Sequence, residues 1–184
     1  MHLLFAIWLS AVLPSQAERY STDNGSSKVR FDVGSTLHNV PADVTRFTAE
    51  LNVKESVSGT LTVQSDSIKT GIGVRDKRLY TYCLSTDQYP TIDFNIRSVS
   101  GDTEAFQSAS GSGTITLHGA LKIRSTTKDF AVPAEFTWSE TGVALKGKTP
   151  LSWSDFGIPD PSILISKVEP VLNLEFDLNL EKKP

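Results

Sequence analysis

At 184 residues, with 39% hydrophobic and 21% charged side chains, the chain is sized for one domain with a substantial core. Its 18 Lys and Arg stand against 21 Asp and Glu, a net charge of −3 with no long run of one sign, which argues against the basic stripe of a nucleic-acid-binding surface. A single cysteine, Cys83, excludes an internal disulfide, so the core must carry the stability.

In chain order, residues 3–13 are apolar, and Pro14-Ser15-Gln16-Ala17 ends in the small-x-small pattern of a signal-peptidase site. The amino-terminal region is unusual in carrying only His2 and the terminus as positive groups. The run is too short for the helix of about 20 residues that crosses a bilayer. Residues 1–17 are expected to be a cleaved secretory signal, against the alternatives of an uncleaved anchor or a buried first strand. Residues 18–184 are then one mature domain, periplasmic or secreted.

Beyond the leader, apolar residues recur every second position, the spacing that places them on one face of a strand. Val29, Phe31 and Val33 form the first face. Phe47, Ala49, Leu51 and Val53 form the next, followed by Leu61 and Val63. Residues 71–90 interrupt the rhythm. There Val74, Leu79 and Cys83 fall near helical spacing, with Arg75, Asp76, Lys77 and Arg78 between them, so a helix of one or two turns, or a compact loop, is expected. Pro90 ends it and forces Tyr89 into extended backbone. The segment is placed across one end of the sheet as a lid or plug.

The rhythm then resumes at Ile92, Phe94 and Ile96. It continues through Ile115, Leu117, Gly119, Leu121 and Ile123, then Phe130, Val132, Ala134, Phe136 and Trp138. Val143, Leu145, Gly147, Thr149, Leu151 and Trp153 form another face, and Leu172, Leu174, Phe176, Leu178 and Leu180 close the chain. About eight strands, each with one wet and one dry face, describe an all-β antiparallel fold. Two stacked sheets or one closed barrel would bury the dry face, and strand number does not separate them. Gly119 and Gly147, in mid-strand on apolar faces, favour the bends of a barrel.

Candidate chemistry is sparse. Arg75-Asp76 reads as a local salt bridge or cap. Cys83 with His38 or His118 could form a nucleophile pair, but between Tyr82 and Leu84 it reads better as a small buried hydrophobe. No G-x-S-x-G, H-E-x-x-H or C-x-x-C occurs. No catalytic residue, metal ligand or cofactor is expected.

Five motifs in order carry a resemblance. They are Tyr20-Ser21-Thr22-Asp23 with Ser27, Val29 and Phe31; then Ser67-Ile68, Thr70-Gly71, Arg75-Asp76 and Leu79, leading to Tyr89-Pro90-Thr91-Ile92-Asp93-Phe94. Next come Leu121-Lys122-Ile123-Arg124 with Thr127-Lys128 and Val132-Pro133, then Ser154-Asp155-Phe156-Gly157-Ile158, and the closing strand from Val171 to Leu180. Together they resemble the YceI-like family, exported polyisoprenoid-binding proteins. Departures fall at Arg46, Cys83-Leu84, Ser125 and Thr126.

The resemblance implies a lipocalin-like, extended eight-stranded barrel, with a short helix or lid between early strands. It also implies a non-enzymatic protein that binds a long-chain isoprenoid or acyl lipid, such as a polyprenyl lipid, quinone or fatty amide, for carriage, storage or stress response. A ligand-free barrel and an enzyme acting on lipids or quinones are the alternatives, and an exposed Cys83 would permit a homodimer. Ligand-binding residues are expected at Phe31, Val33, Phe47, Leu51, Leu61 and Val63 on the early strands. On the later strands they are Phe94, Leu117, Leu121, Val132, Phe136, Trp138, Leu145, Leu151, Leu174 and Phe176, with Phe156 at a turn; Trp138 and Trp153 are expected to line the cavity or its floor. Tyr80, Tyr82 and Tyr89 are expected to present rings at the lipid entrance. Ala49, Gly119, Ala134 and Gly147 are expected to leave room for a slender chain.

Overall fold

The structure, a computed structural model, describes residues 18–22, 25–54, 56–162 and 166–184. The signal segment expected over residues 1–17 lies outside the described residues.

Strands β1 (Glu18–Thr22) and β2 (Lys28–Ser35) are successive pieces of one strand. They run beside the last strand, β11 (Val168–Lys182), β1 at its final two residues and β2 along Val168–Asp177, with Tyr20 facing Lys182 and Phe31 facing Leu174. Strands β3 (Val40–Val44) and β4 (Phe47–Val53) are likewise one strand interrupted at Thr45-Arg46. β3 pairs with β2 at Phe31–Ala42, and β4 pairs with β1 at Tyr20–Leu51. A third split strand comprises β5 (Ser58–Gln64) against β4 and β6 (Ile68–Lys69) against β3.

Then follow β7 (Thr91–Gly101), β8 (Ser112–Ile123), β9 (Thr126–Trp138) and β10 (Gly142–Ser152), each antiparallel to the one before. β10 pairs with β11, and β11 returns to β1 and β2. Counted with their breaks closed, these are eight antiparallel strands in chain order, joined last to first into a barrel. Closure removes the exposed edges of an open sheet, and it decides between the two architectures that the alternation allowed.

The breaks are hydrogen-bonded. Ser67 Oγ donates to the carbonyls of Arg46 (3.1 Å) and Gln64 (2.7 Å), and Thr45 Oγ1 donates to the Ser67 carbonyl at 2.8 Å. The two interruptions lie side by side, so the wall bends there without stranding backbone groups.

Gly119 and Gly147 do not widen the interior as expected, and Gly119 faces Ile96 at the edge of an irregularity in β7, where a bend was expected. A Cβ on Gly147 would overlap the Phe176 ring and the Pro133 carbonyl, and one on Gly119 would overlap the Asn95 carbonyl and the Phe94 ring. Both glycines permit close approach. The space each gives up is taken by a neighbouring phenylalanine.

The two ends differ. At the closed end, helix α2 (Thr103–Gln107) drops Phe106, fully buried, onto Phe136 and Trp138 with ring centroids 5.0 and 5.5 Å apart. Tyr20 completes the plug, 5.0 Å from Trp138. Tyr20 Oη and Lys182 Nζ both donate to the Glu18 carboxylate, which ties the barrel seam. The Lys182 bond, then that of Tyr20, holds the Glu18 carboxyl below its usual range, while burial, then the Glu18 bond, pushes the Tyr20 phenol up. The other end carries the turn at residues 36–39, helix α1 (Gly73–Arg78), a π-helical turn at Leu79–Leu84, and a 3-10 turn at Trp153–Phe156 that leads into residues 157–162.

Candidate functional site

Inside the barrel lies a void of about 290 Å³, bordered by side chains from each of the eight strands. That is near the lower bound of the roughly 300–1,000 Å³ typical of small-molecule pockets, but its shape is slender. A sphere of 290 Å³ would be about 8 Å across, whereas its border on β11 runs from Val168 to Leu180, roughly 40 Å of extended strand. With the usual strand tilt this is about 30 Å along the barrel axis.

Thirteen residues singled out from the sequence border this void. They are Phe31 and Val33 on β2, Leu51 on β4, Leu61 and Val63 on β5, Phe94 on β7, and Leu117 and Leu121 on β8. The rest are Val132 on β9, Leu145 and Leu151 on β10, and Leu174 and Phe176 on β11. Val29, Ile92, Ile96, Phe130, Leu172 and Leu178 join them. All six lie on the same period-two faces, so the alternation signal already contained them. Of the four small residues expected to make room, only Ala49 is on the border.

Seven of the expected residues stand elsewhere. Phe136 and Trp138 belong to the plug beneath Phe106, because the alternation of β9 runs on past the floor of the cavity. Phe47 and Phe156 are buried without reaching the void; Phe156 sits in the 3-10 turn after β10. The three tyrosines do not border the void. Tyr80 Oη donates to the Ile68 carbonyl (2.6 Å) and accepts from Lys69 Nζ (2.8 Å). Tyr82 is exposed beneath the Arg78 guanidinium, and Tyr89 faces that of Arg124.

The inner face of the lid is apolar instead. Leu79, Cys83 and Leu84 border the void. A π-helical turn bonds residues five apart, so both Cys83 and Leu84 share a side with Leu79. Ordinary helical spacing found Leu79 and Cys83 but also nominated Val74, which is 83% exposed.

Thr70 fastens the lid. Its backbone N–H (2.8 Å) and hydroxyl (2.5 Å) both donate to Asp76 Oδ1, and Arg75 Nη2 donates to its carbonyl at 2.7 Å. The adjacent Arg75 and Asp76 thus act as two separate ties. Arg75 Nε is buried without a hydrogen-bond partner, and the side chain borders the void, as does that of Arg78. Opposite, Arg124 Nη1 donates to the Gly157 carbonyl at 2.7 Å and holds the segment whose Ile158 and Pro161 complete the border.

Burial pushes the Cys83 thiol up, outweighing the nearby Arg78 and Arg124 guanidiniums. His118 bonds Ser100 Oγ at 2.8 Å, and His38 is exposed, so Cys83 sits in the wall as a neutral, apolar group. What the site offers is a long greasy tunnel, plugged at one end and covered by a tied-down lid at the other, with guanidinium groups beside the lid.

A family model for the YceI-like domain matches residues 20–180. No curated protein matches the chain. Among solved structures it is similar to Burkholderia cenocepacia BcnA (TM-score 0.71, 16% identity, 86% of this chain and 97% of that one). It is also similar to a polyisoprenoid binding domain from Saccharophagus degradans implicated in plant cell wall breakdown (TM-score 0.74, 13% identity, 91% and 100%). The Campylobacter jejuni YceI protein matches at a TM-score of 0.66 and 18% identity, over 79% and 86%. At these identities the likeness to the solved structures is one of fold.

Proposed function

The chain belongs to the YceI-like family, and from that premise we propose that it is an exported, non-enzymatic binding protein for a long-chain apolar lipid such as a polyprenyl lipid, quinone or fatty amide. The observation that carries this reading is the slender apolar void running along the inside of a closed barrel. The polyisoprenoid-binding name of the similar Saccharophagus domain supports the isoprenoid class. The signal-like residues 1–17 support export to the periplasm or beyond.

The energetics fit a chain-shaped ligand. Net gains run near 0.3 kcal/mol per heavy atom for ligands of this size, so a tail of about twenty carbons gains about 6 kcal/mol, a Kd of tens of micromolar. One charge-assisted hydrogen bond adds roughly 1.5–3 kcal/mol and brings the total to about micromolar. Arg75, with its unpartnered Nε at the border, is placed to donate that bond to a polar head at the lid. The tail fills the barrel; the head stays beneath α1 and the π-helical turn.

Trp153 borders the void, so its fluorescence reports occupancy. Titrating lipid-stripped protein with geranylgeraniol should give a saturable one-to-one change. No change with any prenyl or acyl chain overturns the reading in favour of a barrel that works empty.

A further inference from the structure

We propose that the lid end of the barrel is a membrane-docking face, which seats on an anionic lipid surface so that cargo passes directly between bilayer and cavity. The proposal extends the lipid-binding reading but stands on separate observations.

Among the described residues, the large exposed apolar side chains are Leu37, Ile72, Val74, Tyr82 and Val171. All five sit at the lid end. Leu37 tips the β2–β3 turn, Ile72 and Val74 open the lid, Tyr82 lies in its π-helical turn, and Val171 stands on the outer wall near the start of β11. The strand neighbours β11, β2, β3 and β6 run in that order round the rim, so Val171, Leu37, Ile72 and Val74 follow one arc. The Thr36 N–H donates to the Lys167 carbonyl at 3.0 Å and joins the β2–β3 turn to the start of β11. Val74 at 83% exposure and Leu37 at 62% are costly in water and natural at a lipid interface.

The cations on the arc are Lys69, Lys77, Arg78 and Lys167, with Arg75 just inside. Of the carboxylates at this end, Asp66 pairs with Arg46, Asp76 is buried against Thr70, and Asp160 accepts from the Ser162 N–H. Asp43, opposite Lys69 in register, pairs with Arg30, Asp32 is half-buried on β2, and Asp87, Asp155 and Glu169 face solvent. The lid segment itself presents Lys77 and Arg78 outward beside Ile72, Val74 and Tyr82, the pairing of cationic and apolar groups that seats a peripheral surface on anionic headgroups. The lid's opposite face, through Leu79 and Leu84, borders the void. A lipid surface would cover the rim and also supply or take up an apolar chain at that point.

The test is co-flotation of the purified protein with vesicles of phosphatidylcholine alone or mixed with phosphatidylglycerol. Uptake of geranylgeraniol from detergent micelles is measured in parallel. Wild-type protein should float with the anionic vesicles, bind the neutral ones at least tenfold more weakly, and release in high salt. The double variant Ile72→Ser, Val74→Ser and the single variant Lys77→Gln should each bind anionic vesicles several-fold more weakly, with uptake from micelles unchanged. Absence of wild-type vesicle binding, or variants that bind like wild type, overturns the docking face. If uptake is intact in that case, the lipid-binding reading survives and the rim is left to a protein acceptor. Vesicle binding without any uptake supports docking and removes the cargo reading instead.

Discussion

Phe106 and Phe136 meet edge to face, their ring centroids 5.0 Å apart, and this contact closes one end of the barrel. Phe106 comes from a five-residue helix between β7 and β8 and is fully buried. The floor of the tunnel is therefore built from a loop element laid onto the aromatic end of a strand.

Truncating the plug should be expensive for stability. Phe106→Ala removes a buried ring and leaves a void, a change that costs about 3–5 kcal/mol in well-packed cores. Urea denaturation followed by circular dichroism measures it, and a loss under about 1 kcal/mol would show that α2 merely rests on the barrel. Phe136→Asp should likewise unfold the protein by burying an unpaired charge in the plug, so its effect on lipid uptake would follow from lost folding.

Filling the tunnel should block it without breaking it. Leu61 borders the void and is half-buried, so Leu61→Trp has space to grow into. Geranylgeraniol uptake should fall at least tenfold while the β-sheet spectrum is kept. Wild-type uptake in this variant would mean that the ligand lies elsewhere.

Two glycines should respond in opposite ways. Gly147→Ala drives a methyl group into the Phe176 ring and the Pro133 carbonyl, and overpacking of this kind costs about 1–3 kcal/mol. Gly73 opens α1 with nothing within 4 Å of its missing Cβ. Gly73→Ala should be neutral or stabilising by about 0.4–1 kcal/mol, through the unfolded chain. Thermal denaturation of the pair checks both signs at once.

Cys83 should behave as a buried thiol. Its folded pKa is raised, chiefly by burial, so the unfolded chain loses its proton first as pH rises. The thiol's contribution is complete below the unfolded value of about 8.5 and fades above it. The urea midpoint of wild type should therefore fall more steeply between pH 8 and 10 than that of Cys83→Ala. Parallel slopes would contradict the buried, neutral thiol. Bound lipid should also slow labelling of Cys83 by an apolar maleimide, because the residue borders the void.

The strands were legible because period two is dictated by burial of one face, and β7 to β11 follow it through Phe94, Leu117, Val132, Leu145 and Leu174. Closure into a barrel was legible in the family resemblance rather than in the alternation, since a sandwich imposes the same pattern; it rests on the pairing of β11 with β1 and β2. The wall of the site was readable for the same reason as the strands. Its ends were not. Alternation does not mark where the void stops, so Phe136 was carried into the wall although Phe106 covers it, while Trp138, expected on the wall or the floor, lies in the floor.

Phe106 left only a faint signal, a lone aromatic in the polar run 101–114. The lid's inner face was half visible. Helical spacing found Leu79 and Cys83, while Leu84 needed the π-helical turn. Tyr80, Tyr82 and Tyr89 were nominated for amphipathic rings; hydrogen bonds and guanidinium contacts hold them at the lid end without reaching the void.

Extracting the freshly purified protein with organic solvent and weighing the extract by mass spectrometry tests most directly whether the tunnel holds a chain. Near one equivalent of a single class of long isoprenoid or acyl lipid per protein is the expected result. An extract free of such lipid, from protein that also fails to take up geranylgeraniol afterwards, would contradict the proposal that this barrel is built around a guest.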